Sequence, residues 1–267
     1  NEWSVREEQA GNAYYGYDTE GAAMMINVAE SGESSAFRAL AYMAMFGGSF
    51  VDENGEVLLS VAANIEGMEY WQRLVSEGLT YGYGATTEDG VNSYFFAEST
   101  ATPFMIDISA IFANYLQSAT ITFDYQYFPL PMSEGVRTTV LCGSVYMGIT
   151  RSCANPEAAM YFLECLTSAQ YQSDMYLNST NRLPVIQSVI DEALADESGT
   201  YAEKNEEMGA LLEAFDQNDD IIFGLPGFTT SYSNIWARWI NCMNTIYNGG
   251  SVSGALATFE SDIAQYL

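Results

Sequence analysis

Residues 155–166 read NPEAAMYFLECL, and this stretch with the proline pair ahead of it, Phe128-Pro129-Leu130-Pro131, decides the architecture. Asn155 supplies a capping side chain, Pro156 fits the first helical position, and Glu157 faces the positive end of the helix dipole. A helix therefore starts at Pro156, and its spacing predicts that Ala159, Phe162, Leu163 and Leu166 form a buried stripe. Upstream, Tyr125 to Pro131 (YQYFPLP) is expected to be extended, because a proline pushes the residue before it out of helical geometry. Thr138 to Ile149 is β-rich and punctuated by glycine.

The same alternation continues outward. Gly21 to Ala29 (GAAMMINVA) and Phe104 to Ile108 are short apolar runs of strand length. A helix from Ser35 to Phe46 stops at Gly47-Gly48, since glycine accepts the left-handed cap. Asn54-Gly55 between two apolar pairs signals a hairpin turn. Asn64 is read as the cap of a second helix with Ile65, Met68, Trp71, Leu74 and Val75 on its apolar stripe, ending at Gly78. Ile111 to Leu116 is a further short helical run. Val185 through Phe215 reads as a helical tract dense in acids. Ser233 to Tyr247 carries Trp236, Ile240, Met243 and Tyr247 on one side and closes at Gly249-Gly250, and a last helix spans Val252 to Tyr266. Strands alternating with helices make the fold class α/β.

Composition narrows the chemistry. The 267 residues hold 8 Lys+Arg against 35 Asp+Glu, a formal charge of −27, and no histidine. So acidic a chain repels nucleic acids, whose affinity comes from basic side chains displacing phosphate counterions. The lack of histidine excludes Ser-His-Asp and Cys-His catalysis and most catalytic zinc sites. With 48% hydrophobic and 14% aromatic residues the chain has ample material for a core, and no apolar run approaches the length of a membrane span. Cys142, Cys153, Cys165 and Cys242 lack metal or redox spacing; Cys165 and Cys242 are expected to be buried as small hydrophobes, while disulfides stay open. Asp216 to Asp220 resembles a calcium loop only superficially, because Ile221 stands where glycine is needed. Gly82 and Gly84 lack the third glycine of a dinucleotide fingerprint. No metal or cofactor is expected.

Taken in order, these segments resemble the family 1 extracellular solute-binding proteins of ABC importers, the group that includes maltose-binding protein. The most specific match is the passage Phe128-Pro129-Leu130-Pro131, Gly143, Gly148-Ile149, then Asn155-Pro156-Glu157-Ala158-Ala159 to Leu166, with Arg182-Leu183-Pro184 after it. Ala22 to Asn27 followed by a helix and Gly47-Gly48 is similar to the first strand and helix of that family's second lobe. Ala97 to Ile108 is similar to another of its strands, with Glu98-Ser99-Thr100 in place of a usual Gly-Lys. Leu225-Pro226 with Trp236 and Gly249 has the spacing of its closing helix.

The resemblance implies a periplasmic-binding-protein-like fold of type II. It places a second lobe in Asn1 to Thr139 and Ile222 to Leu267, and a mainly helical remnant of the first lobe in Val140 to Ile221. It implies an N-terminally shortened chain, with Asn1 a processed or trimmed end, and a possible self-association through the incomplete lobe. It further implies an extracellular protein, periplasmic or anchored by a lipid on an N-terminal Cys outside this sequence, that hands a neutral carbohydrate to a permease.

Sugar recognition needs aromatic faces against pyranose C–H groups and planar polar groups, carboxylates above all, for the hydroxyls. The resemblance makes Trp236 a stacking platform, with core packing as its alternative, and Tyr232 a neighbour on the same rim. Glu30 and Ser31 follow the first strand, and Asp107 and Ser109 end the next, the cleft-facing end of open α/β sheets. Ser144 lies at the interlobe crossing. For Glu30 and Asp107 surface or capping roles are the alternative. The expected mechanism is binding without turnover. A glycoside hydrolase using two carboxylates, or a surface peptide-binding or adhesion module, is the competing function.

Overall fold

In the computed structural model, residues 24–26, 33–51, 56–80, 104–106, 127–136, 147–179, 182–216 and 232–266 are described. The elements in chain order are β1 (Met24–Ile26), α1 (Glu33–Met45), α2 (Ala62–Ser76), β2 (Phe104–Ile106), α3 (Pro156–Leu166), α4 (Ala169–Asn178), α5 (Gln187–Ala195), α6 (Ala202–Asp216), α7 (Tyr232–Tyr247) and α8 (Val252–Ile263). The α/β class holds. The expected helix at Ile111–Leu116 lies outside the described residues, as do most of the β-rich stretch 138–149 and the turn at Asn54-Gly55, although Val51 and Val57 on either side of that turn pair antiparallel.

One group of helices is α1, α2, α7 and α8, which pack on one another. Helix α1 is buried nearly all round from Ala36 to Met45, which its run of alanines, methionines and leucine permits: it is the central helix of this group. Gly47, at φ 77, ends it in the left-handed conformation. Helix α2 crosses α1 at Gly67, where a Cβ would run into the Tyr42 carbonyl, so only glycine allows the approach. Trp71, Met68 and Leu74 are core, as the stripe predicts.

Asn64 is not the cap of α2. The helix begins earlier, at Ala62, and Asn64 is fully buried, its amide donating to the carbonyls of Ser49 (2.8 Å) and Leu58 (3.1 Å). At the mouth of α2 the acceptor comes from α8: Glu260 receives hydrogen bonds from the backbone of Leu59 (3.3 Å) and Ser60 (3.1 Å) and from the Ser60 hydroxyl (3.0 Å). Gln72 then ties α2 to the end of α7 by donating to the carbonyls of Ile246 and Gly250.

A second, smaller core joins Tyr176, Ile190, Ala193, Tyr201, Met208 and Leu212, contributed by α4, α5, α6 and the turn before α6. The helical tract expected from Val185 through Phe215 is broken here. Asp196 accepts from the backbone N–H groups of Ser198, Gly199 and Tyr201, which stops α5 and starts α6, and Asn205 donates back to the Ala193 carbonyl. Residues 127–136 touch both cores: Tyr127 packs on the second, Leu130 and Met132 on the first, and the Ser133 N–H donates to the Met45 carbonyl (2.8 Å).

Helix α3 starts as its sequence dictates, with Asn155 accepting from the Ala158 N–H (3.1 Å) and Pro156 first in the helix. Its burial does not follow the expected stripe. Ala159, Leu163 and Leu166 are half-buried, Phe162 is 56% exposed, and no residue of α3 is fully buried. Cys165 on the same helix is exposed, contrary to expectation, whereas Cys242 is buried as expected; both thiols and Cys153 are free.

Candidate functional site

Strands β1 and β2 pair in parallel with Met24 opposite Phe104, Met25 opposite Met105 and Ile26 opposite Ile106. Their carboxyl ends therefore lie side by side, and ligands of open α/β folds bind outside such ends. Helix α1 begins at Glu33, directly after the segment 27–32 that leaves β1, so its first-turn N–H groups belong to the same end. Helix α7 is brought to α1 by Trp239. This indole is completely buried, stands edge-on to Phe50 (5.1 Å) and Phe259 (5.3 Å), and donates its Nε1–H to the Ala36 carbonyl in the first turn of α1 at 2.8 Å. Ile235 and Trp236 share the core with Ala36 and Leu40. The middle of α7 is thus seated on the first turn of α1, and Ile106, the last residue of β2, packs against the same core.

The expected site residues fall around these elements unevenly. Tyr232 is the first residue of α7. Trp236, one turn later, is only 8% exposed and packs in the core. Glu30, Ser31, Asp107, Ser109 and Ser144 lie outside the described residues; Glu30 and Ser31 sit in the segment between β1 and α1, and Asp107 directly follows β2. Trp239 was not among the sequence-level candidates. Its signal was available, because Ile235, Trp239, Cys242 and Ile246 repeat at helical spacing and are all buried, beside the Trp236, Met243 and Tyr247 stripe.

Among the described residues the groups pushed upward are two buried phenols and a buried thiol, and the one pushed down is the Asp196 carboxyl that accepts the backbone bonds described above. Burial, then the charge of Tyr70, raises the Tyr42 hydroxyl far above its ordinary value. Burial pushes Cys242 up to about 12, so its thiol stays neutral and unreactive near pH 7. Burial, then Glu207, pushes Tyr176 up to about 12. Each is the desolvation effect on a group whose charged form has lost water. Among the described residues no set of three or more acidic or thiol side chains is arranged to hold a metal ion, and no helix is long and apolar enough to cross a membrane.

This arrangement defines an α/β binding-protein fold, and comparison with solved structures identifies it as the type II periplasmic-binding-protein fold. The maltose-bound MalE3 of T. maritima superposes with a TM-score of 0.69 at 17% identity, over 98% of this chain and 68% of that one. An ABC transporter solute-binding protein from Agrobacterium radiobacter K84 in complex with ribitol gives 0.69 at 16% identity, over 98% and 64%. UgpB from Mycobacterium tuberculosis in complex with glycerophosphocholine gives 0.71 at 14% identity, over 98% and 67%. The chain spans about two thirds of the length of these structures. None of the curated proteins matches the sequence. The family model described as bacterial extracellular solute-binding protein matches residues 9–210, and the chain belongs to that family.

Proposed function

We propose that this chain is part of the solute-capturing component of an ABC importer and that its ligand is a neutral carbohydrate or polyol held between two lobes. The observation that carries the reading is membership of this family, and the parallel pairing of β1 and β2 and the bond that seats the middle of α7 on the first turn of α1 are in keeping with it. Maltose, ribitol and glycerophosphocholine, the ligands of three neighbours, each contain a sugar or polyol part. In this reading residues 1–139 and 222–267 are one lobe and 140–221 belong to the other, in keeping with the two cores and with the strap 127–136 that touches both.

Glu30, Ser31, Asp107 and Ser109 offer acceptors and donors to sugar hydroxyls from the strand ends, Tyr232 an aromatic rim, and Ser144 a hydroxyl at the crossing. Trp236, packed in the core, supports the rim from beneath. The ligand is bound and released unchanged: closure of the lobes selects it through contacts made only in the closed state, and the permease reads that closure. Location outside the cell, periplasmic or lipid-anchored, follows from the same reading.

Calorimetric titration of the whole gene product with maltose, maltotriose and ribitol tests it. Saturable binding is expected, weakened about tenfold or more by Asp107→Ala, which removes charge-assisted hydrogen bonds worth roughly 1.5–3 kcal/mol. Chromatography of the oligosaccharide after overnight incubation separates this from hydrolysis. Shortened product would make the protein a carboxylate-pair enzyme, and affinity for peptides with none for glycans would make it a peptide-binding module.

A further inference from the structure

An asparagine is chemically least protected when glycine follows it, because glycine sets no side chain beside the backbone nitrogen that can attack the asparagine amide. The sequence holds two such pairs, Asn54-Gly55 and Asn248-Gly249, and the first lies outside the described residues. The second closes α7. Gly249 stands at φ 81, in the left-handed region that favours glycine, so the end of the helix itself dictates glycine after Asn248. A Cβ on Gly250 would come within 2.7 Å of the Thr245 carbonyl oxygen, which fixes the next glycine as well.

Solvent reaches this pair, since Asn248 and Gly249 are both exposed. Hydrogen bonds are what restrain it. The Asn248 side chain donates to the Asn244 carbonyl (2.7 Å), and its backbone N–H donates to the same oxygen (3.1 Å). The Gly249 N–H donates to the Ile246 carbonyl (3.0 Å) and the Gly250 N–H to the Thr245 carbonyl (2.9 Å). From α2, Gln72 donates to the carbonyls of Ile246 (2.6 Å) and Gly250 (2.9 Å), which ties the corner between α7 and α8 from its other side.

We propose that Asn248 is a deamidation site gated by opening of this corner. Once the Gly249 N–H leaves the Ile246 carbonyl and gives its proton to water, the nitrogen attacks Cγ of Asn248. The N–Cγ bond forms, the Cγ–Nδ2 bond breaks, and ammonia departs with a proton from solvent. Water then adds to either carbonyl of the cyclic imide and opens it to aspartate or isoaspartate, so one water is consumed and one ammonium released. The new carboxylate has no N–H for the Asn244 carbonyl and adds negative charge at the negative end of α7. A transient opening thereby becomes a permanent loosening of the place where α2, α7 and α8 meet.

The chain and a synthetic peptide of residues 244–252 are incubated side by side in mildly alkaline buffer, and peptide mapping follows the mass change and the two isomers at position 248. The folded chain is expected to convert about tenfold or more slowly than the peptide, because reaction waits for local opening. Gln72→Ala, which removes both bonds from α2, should speed conversion about fivefold, the worth of a typical hydrogen bond or two. In that variant hydrogen exchange should quicken at Gly249 and stay slow at Met68, which is buried in the larger core. Conversion of the folded chain at the peptide's rate overturns the proposal. So does a rate unchanged by Gln72→Ala, or exchange that rises equally at Gly249 and Met68, which would assign the reaction to global unfolding.

Discussion

The two cores of this molecule are built on different terms. Around α1 the chain closes its own surface: α2, α7 and α8 cover a helix buried on almost every side, and aromatic rings from distant parts of the sequence, Phe50, Trp239 and Phe259, meet edge to face. The group of α3 to α6 buries Tyr176, Met208 and Leu212 but leaves α3 lying on its surface with no fully buried residue. Local stability tracks buried apolar contact, so one chain holds two levels of it. The difference puts the more fully closed packing around α1 and the incomplete burial at α3.

Trp239→Ala is expected to be the most damaging change, costing about 3–5 kcal/mol because it removes a fully buried ring and leaves the Ala36 carbonyl without its donor. Urea denaturation read in the far ultraviolet measures it, and a loss below about 1 kcal/mol would show that the larger core is not the more stable one. Glu260→Ala is next, at about 1–3 kcal/mol, since one carboxylate serves two backbone donors and a hydroxyl at the start of α2. Hydrogen exchange at Leu59 and Ser60 should accelerate while the core of α4 to α6 keeps its protection. Acceleration in both groups alike would deny the separation.

The smaller core has its own electrostatic pin. Hydrogen bonds from the backbone N–H groups of Tyr201, then Gly199, hold the Asp196 carboxyl below the usual carboxylate range. A depressed folded-state value means that the turn's contribution is complete above the unfolded-state value of about 3.9 and is lost as the pH falls through the lower folded one. Acidification below pH 4 is therefore expected to release Tyr201 and the start of α6, followed by the proton resonances of Tyr201. In Asp196→Asn this step should vanish, because the amide does not titrate. Persistence of the same acid transition in that variant would move its cause to another group.

What could be read in advance divides by range of interaction. The Asn155-Pro156 start, the left-handed stops at Gly47 and Gly78 and the core role of Trp71 depend on neighbours within a few residues, and periodicity or a single φ preference carries them. The break at Asp196 was hidden because acids on a helix face and an acid capping a turn have the same composition. Asn64 was misread for a related reason: a capping residue type was present, but its amide found carbonyls at Ser49 and Leu58 instead. The two short apolar runs were legible as strands, and helical spacing marks Trp239 as core, but its bond to residue 36, which sets α7 on α1, is one that no local pattern encodes. The proposed ligand contacts rest on family resemblance alone.

The smallest expected effect is also the most discriminating. Apolar spacing on α3 predicts that Phe162 is core, in which case Phe162→Ser should cost several kcal/mol, as Phe259→Ala should at about 3–5 kcal/mol in the larger core. The structure leaves Phe162 more than half exposed, and substitutions at such positions stay within about 0.5 kcal/mol. Periodicity identifies which side of a helix is apolar, but whether that side is covered depends on what else is present to pack against it. Measuring the two variants in one urea series therefore compares the two regions directly. A near-zero change at position 162 beside a large one at 259 fixes α3 as a surface element of this chain, whereas comparable losses would mean that α3 turns its phenylalanine inward in solution.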